Sequence, residues 1–157
     1  MLLPLFQAIE ASALGEAIRN SLWLFPIIEA FHLLGLAVIG GAILIVDFRL
    51  LGLGLRAHPV ARVARDVQPW VFGSVVVMIL SGVPLFVSEA IKCYYSFAFW
   101  TKMTALLLAI IFTFTVRRSV TLAAEGRFTP SVNKAVALTS LALWSTVGWG
   151  GRWIGFS

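Results

Sequence analysis

Only one cysteine, Cys93, occurs in the chain, so no internal disulfide can form and the thiol count says nothing about redox compartment. Charge is scarce: 12% of the 157 residues are charged, against about 25% in an ordinary soluble domain. Histidine is scarcer still, with His32 and His58 alone, and neither stands in the Cys/His spacing of a metal motif. No nucleophile–base pair that would support hydrolysis is evident. Long repeats and low-complexity tracts are also missing. These absences exclude a disulfide scaffold, a multi-ligand zinc module and a hydrolase of the familiar kinds. The formal charge of +5 does not make a nucleic-acid binder, because the basic residues sit between apolar runs rather than along one polar face.

What remains is apolar. Hydrophobic residues make up 60% of the chain and the mean hydropathy is +0.96. The pattern predicts an all-α integral membrane protein forming a single domain over 1–157: an antiparallel bundle of four transmembrane helices behind an N-terminal amphipathic interfacial segment. The interfacial segment covers 1–20, with Phe6, Ile9, Ala13 and Ala17 recurring at helical spacing and Gly15 as a break. Ala11-Ser12-Ala13 has the look of a cleavage site, but no basic region precedes the short apolar patch, which argues against a signal peptide.

The spans are expected at about 22–51, 69–90, 95–116 and 132–155. Pro59 is read as the start of a short surface helix, and Gly82 with Pro84 as a bend in the second span. The ends joining spans one to two and three to four carry Arg49, Arg56, Arg62, Arg65, Arg117, Arg118, Arg127 and Lys134, while the other side carries Arg19, Lys92, Lys102 and Arg152. Eight against four places both loops in the cytoplasm and both termini outside. The lipid bilayer is then the first partner, and nucleic acid is not one.

Polar residues inside such spans are costly and usually functional. Glu29 and His32 lie in the first span, on a stripe drawn as Phe25, Glu29, His32, Leu36, Ile39, Ile43 and Asp47, which should face the bundle. At about 1.5 Å per residue His32 lies roughly 15 Å below Leu22, and Lys102 about 10 Å below Tyr95. Arg152 lies in the outer part of the last span. Four polar side chains from three helices thus share the outer half.

Each has a plain reading and a chemical one. His32 is either a buried histidine satisfied by a hydrogen bond or a ligand for haem or metal. Lys102 either snorkels to the surface or ligates as the neutral amine. Arg152 either pairs with Glu29 or Glu89 or holds a cofactor carboxylate in its fork. Asp47 and Arg49 read as anchors at the inner interface, and His58 as a solvated loop residue. Glu29-x-x-His32 matches one arm of a carboxylate di-iron bundle, but such a site needs a second arm and two further glutamates.

The segment IRNSLWLFPIIEAFHLLGLAVIGGAILIVDFRLLGLGLR, the later FWTKM and the closing WGGRWI resemble an uncharacterised bacterial family of small four-span membrane proteins. More distantly, the layout resembles the group containing the copper-resistance membrane domain and the haem-containing bacterial protoporphyrinogen oxidase. In that oxidase a histidine of the first span and a lysine introducing a later span are linked to haem binding. By position these are His32 and Lys102. Leu33 to Val38 stands where the oxidase type has Trp and Tyr, so the resemblance implies haem binding more than oxidase activity.

Three functions follow as expectations. The first is a haem b protein, an electron-transfer protein or subunit, with His32 and Lys102 as axial metal ligands, Arg152 near a propionate and Glu29 beside them. The second is a transporter or channel for a small solute or ion, working as a homo-oligomer. The third is a packing subunit of a larger membrane complex, built on the glycine-rich helix faces.

Overall fold

The computed structural model describes residues 2–123 and 126–155, and every regular element among them is helical. Two short helices, α1 (Leu3–Glu10) and α2 (Ala13–Asn20), precede α3 (Leu24–Leu51) and α4 (Val60–Ser88). The short α5 (Ala90–Tyr95) leads to α6 (Phe97–Phe112), which passes through a π-helical turn (Thr113–Arg117) into α7 (Arg118–Thr121). The last helix is α8 (Pro130–Ile154).

Local chemistry sets the ends. After α3 the chain turns at Gly52, whose φ of 78° is left-handed; Gly52 N–H donates to Arg49 O at 3.1 Å and Leu53 N–H to Phe48 O at 2.9 Å. This pair satisfies two of the last carbonyls, and a side chain at position 52 would strain the backbone. Ser96 caps α6 by accepting from Phe99 N–H, and Thr129 caps α8 by accepting from Val132 N–H, with Pro130 next where its missing amide costs nothing. Helix α4 begins at Val60 rather than 69, because the turn after Pro59 runs straight into the apolar stretch. Pro69 removes only the bond to Arg65, a residue that is exposed.

Helix α3 packs against α4 on one side and α8 on the other, and α8 packs against α6. Their shared core is Ile39, Ala42 and Ile43 from α3, Val71 and Met78 from α4, Ala105 and Ala109 from α6, and Trp144 and Val147 from α8. A second apolar cluster, Leu50, Val120, Val136 and Ala137, lies near the loops that join α3 to α4 and α7 to α8. Gly35 lets α3 approach α4 closely: a Cβ there would sit 3.1 Å from Met78 Cγ.

Three helical stretches are long and apolar enough to cross a membrane: Leu24–Leu51, Val60–Ser88 and Phe97–Thr121. The expected fourth, α8, has the length, at 25 residues, but not the composition. Thr139, Ser140, Ser145, Thr146, Gly148, Gly150, Gly151 and Arg152 dilute its apolar residues. The count of long apolar helices among the described residues is therefore three, not four.

The N-terminal segment also differs from expectation. It breaks at Ala11 and Ser12 instead of Gly15, and its buried residues are Phe6, Gly15 and Ile18, while Ala13 and Ala17 are exposed. The hairpin docks on the α4–α5 turn. Glu10 accepts from Ile91 N–H at 2.6 Å, at the start of α5, and Arg19 donates to Ser88 O at 3.0 Å, at the end of α4. Each charge meets the helix end of opposite polarity. Gly15 is needed for the fit, since a Cβ there would be 3.0 Å from Val87 O. Phe6 fills an aromatic box, with ring centroids 5.5 Å from Phe86 and 5.2 Å from Tyr94.

Cys93 is buried in α5 under this hairpin, and burial together with the Glu89 charge pushes its thiol up to about 11. A raised thiol pKa leaves the unreactive neutral form dominant below it. Alkylation of Cys93 should therefore be negligible at pH 7–8 in the folded protein and rise steeply only as pH approaches the folded value. In Glu10→Ala/Arg19→Ala the hairpin loses about 1 kcal/mol per lost helix-end contact. Iodoacetamide labelling should then be several times faster, and unchanged labelling would show that the hairpin does not depend on these contacts.

Candidate functional site

His32 projects from α3 toward α4, half-buried, with Nδ1 2.9 Å from Ser81 Oγ. Ser81 donates its own hydroxyl hydrogen to Val77 O at 2.6 Å, one turn back on α4. Since that hydrogen is committed, Ser81 accepts from the ring, and Nδ1 must carry the imidazole proton. The neutral ring then presents Nε2 with a lone pair, the form in which histidine binds a metal or accepts a proton. The following residue, Gly82, makes room for the ring: a Cβ at 82 would lie 3.2 Å from His32 Cε1.

Lys102 comes from α6 and lies against α8. A Cβ on Gly150 would be 3.0 Å from Lys102 Cβ, and one on Gly151 would be 3.5 Å from Nζ. The Gly150-Gly151 pair is thus a trough for the lysine stem. Its head group lies within electrostatic reach of both His32 and Cys93. One turn before Lys102, Phe99 stacks on Phe86 at 5.6 Å, closing the aromatic box beside the site.

Of the four expected site residues, the structure brings His32 and Lys102 into one region and leaves Glu29 and Arg152 exposed. The seam along α3 runs through Phe25, Ile28, His32, Gly35, Ile39, Ala42 and Val46, all at least partly buried. Glu29, one residue past Ile28, falls outside that seam. No group of three or more His, Cys, Asp or Glu exists among the described residues. A bare metal ion would be under-ligated at His32 and Lys102, whereas a haem brings four nitrogens and asks the protein only for axial ligands.

A second polar cluster was not anticipated. Asp47, read as an interface anchor, is fully buried and accepts at Oδ1 from Arg117 Nε at 2.8 Å. Arg117 also donates from Nη2 to Ile43 O at 3.3 Å. Close by, Trp144 Nε1–H donates to Thr113 Oγ1 at 3.1 Å. The π-helical turn supplies both Thr113 and Arg117, and turns of this kind recur at functional sites. The signal was present in the sequence: Asp47 continues the buried stripe, so it needed a partner from another helix. Arg49, by contrast, secures the loop, donating to His58 O at 2.8 Å, and His58 is exposed as expected.

Ser81→Ala removes the acceptor for His32 Nδ1–H at a cost of about 1 kcal/mol. The ring proton should then redistribute to Nε2, which nitrogen NMR of labelled histidine reads directly; an unchanged tautomer would show that another group fixes the ring. Arg117→Met leaves Asp47 buried without its counter-charge. Thermal unfolding in detergent should show a loss of about 3–5 kcal/mol, far more than Arg118→Met at the exposed neighbour.

No curated protein matches the chain, and no solved structure does. One family model matches residues 5–157, nearly the whole chain. By that match the protein belongs to DUF6644, a family of unknown function.

Proposed function

We propose that this is a bacterial inner-membrane protein that binds haem b at His32 and serves in electron transfer. The observation that carries the reading is the His32 tautomer: Ser81 holds the proton on Nδ1 and leaves Nε2 as a lone-pair donor within a bundle of apolar helices. Three glycines let the two side chains seat against neighbouring helices, Gly82 under the His32 ring and Gly150 and Gly151 under the Lys102 stem, which supports the reading that these two residues would hold the group. His32 and Lys102 are the residues that would hold its iron. Arg152 follows the glycine pair and suits a propionate. Haem, when bound, supplies one-electron exchange at its iron. The chain's own part is to orient the imidazole, shield the ligands with the aromatic box of Phe6, Phe86 and Phe99, and hold the lysine stem.

Membrane residence and topology belong to the same proposal. Large apolar side chains face outward along the long helices, Leu34, Leu80, Leu107 and Leu138 among them. A soluble monomer would not carry so much exposed apolar surface. Helix α8 crosses as the fourth span, its Ser140 and Trp144 turned into the bundle. With Arg117 buried, seven basic residues rather than eight mark the loop side against four on the other, so the loops stay cytoplasmic and the termini periplasmic.

A second reading, a packing subunit of a homo-oligomer or larger complex, is favoured by an open groove of about 510 Å³ between α6 and α8, lined by Trp100, Thr101, Thr104, Ala142 and Thr146. Small residues of this kind suit a neighbouring helix better than lipid.

An absorption spectrum of detergent-purified protein from haem-replete cells decides between them. A Soret band is expected, lost in His32→Ala and shifted in Lys102→Met, with lower haem content in Gly151→Leu. A colourless preparation that co-purifies at fixed stoichiometry with another membrane protein would replace the haem reading with the packing one.

A further inference from the structure

We propose that Asp47, with Ser140 and Arg117, forms a second site, separate from His32, that binds a proton from the loop side of the bundle. Two polar atoms carry the inference. Asp47 Oδ2 and Ser140 Oγ are both buried without a hydrogen-bond partner, and both residues are fully inaccessible. Such orphans are rare and call for an account, a missing water or proton among the first. They belong to neighbouring helices, α3 and α8, and the Ser140 hydroxyl lies near enough to act on the Asp47 carboxylate although it is not in bonding geometry with it.

The chemistry of a hydroxyl explains how this arrangement serves two protonation states. With Asp47 ionised, Ser140 rotates its O–H to donate to Oδ2. With Asp47 protonated at Oδ2, the new O–H donates to Ser140 Oγ, and the serine hydrogen turns to a backbone carbonyl of its own helix. Only a small turn of the Ser140 side chain, bringing Oγ into bonding geometry with Oδ2, is needed in either state. Arg117 keeps its acceptors in both states, Oδ1 of Asp47 and the carbonyl of Ile43. That second acceptor limits what the guanidinium loses when its carboxylate partner is neutralised.

On the loop side a cleft reaches Arg117, though not Asp47 or Ser140 themselves. This cleft of about 40 Å³ is bounded by Gln68, Thr113, Arg117 and Thr121, with exposed Arg118 at its edge. It exceeds the roughly 10–15 Å³ that one water needs, and its walls offer several polar partners. The step is a simple transfer: a hydrated proton from the loop side loses its O–H bond to become water, and a new O–H bond forms at Asp47 Oδ2 when the side chains between the cleft and Asp47 open to admit it. Among charged groups, Arg117 from the π-helical turn acts on Asp47; α8 contributes Ser140, and α4 contributes the neutral Gln68 to the cleft.

Infrared difference spectroscopy of the full-length protein in lipid nanodiscs, titrated between pH 4 and 9 in water and in deuterium oxide, tests this. A carboxylic-acid carbonyl band should grow as pH falls, shift in deuterium oxide, and be lost in Asp47→Asn. Ser140→Ala should keep the band but move it to higher frequency, because the acid loses its hydrogen-bond acceptor, and should shift its titration midpoint. Absence of any such band in the wild-type protein overturns the proposal and makes Asp47 a permanently ionised strut. If Asp47→Asn does not fold, Ser140→Ala decides, and a band indistinguishable from wild type in position and midpoint overturns the proposal equally. Haem content plays no part in the readout, so failure of the His32 reading leaves this test intact.

Discussion

Three hydrogen bonds between helices fix which way the long helices face. His32 to Ser81 joins α3 to α4, Asp47 to Arg117 joins α3 to the π-helical turn, and Trp144 to Thr113 joins α8 to the same turn. Helix α3 is apolar nearly all round, so hydrophobic burial alone gives it no preferred face. Rotating it by one residue would exchange one set of leucines and isoleucines for another at little cost. It would also strand an imidazole, a carboxylate and an arginine among apolar groups, at several kcal/mol for the ion pair alone. The polar pairs therefore select one rotation among many of similar apolar content, the role that single buried polar residues play in coiled coils.

The ends of the bundle are settled by different means. At the α4–α5 turn the chain leaves one helix and starts another within two residues, Ser88 to Ala90, which exposes a carbonyl and an amide that neither helix can satisfy. The N-terminal hairpin brings Arg19 to the carbonyl and Glu10 to the amide. Its two charges thus complete helices that lie about 70–80 residues further along the chain. At the opposite end Gly52 does the same work by backbone geometry alone. The hairpin is consequently part of the bundle's end wall, adjoining the aromatic box, and not a segment lying loose on a surface.

Much of this was legible in the sequence. The end of α3 follows from Gly52, whose preference is local, while its start at Leu24 lies behind Ser21, which accepts from Leu24 N–H, and α8 begins at Pro130 rather than at 132. Counting depth along two helices puts His32 and Lys102 in the same outer half, and the lysine lies within electrostatic reach of the ring. Glu29 was misplaced because a stripe at i, i+4 and one at i, i+3 diverge over a single turn; the packed seam uses Ile28, and a shift of one residue turns a side chain by about 100°. Asp47 was misread because a charge near the end of an apolar run looks the same whether it anchors an interface or pairs across a bundle. Its place on the buried stripe pointed to a partner across the bundle but not to which one: Arg117 comes 70 residues later, and a π-helical turn sets its position in a way no helical period reveals. The fourth apolar helix failed because small and polar residues lie on both faces of α8: Ser140 and Gly150 are buried, while Thr139, Ser145 and Arg152 are exposed.

His32 and Asp47 stand fifteen residues apart on α3, about 22 Å along its axis. Between them lie the nine buried residues of the shared core, Ile39 through Val147, drawn from all four long helices. A solute or ion passing from one polar cluster to the other would have to cross that largely apolar layer, where the buried Ser74 hydroxyl is committed to Trp70 O and Trp144 Nε1–H to Thr113 Oγ1. The arrangement therefore favours two sites, each reached from its own end of the bundle, over one continuous path. This weighs against a transporter working through a single copy. It suits instead a protein in which His32 is served from the side of the aromatic box and Asp47 from the side of the loops, with α3 as the rigid element common to both.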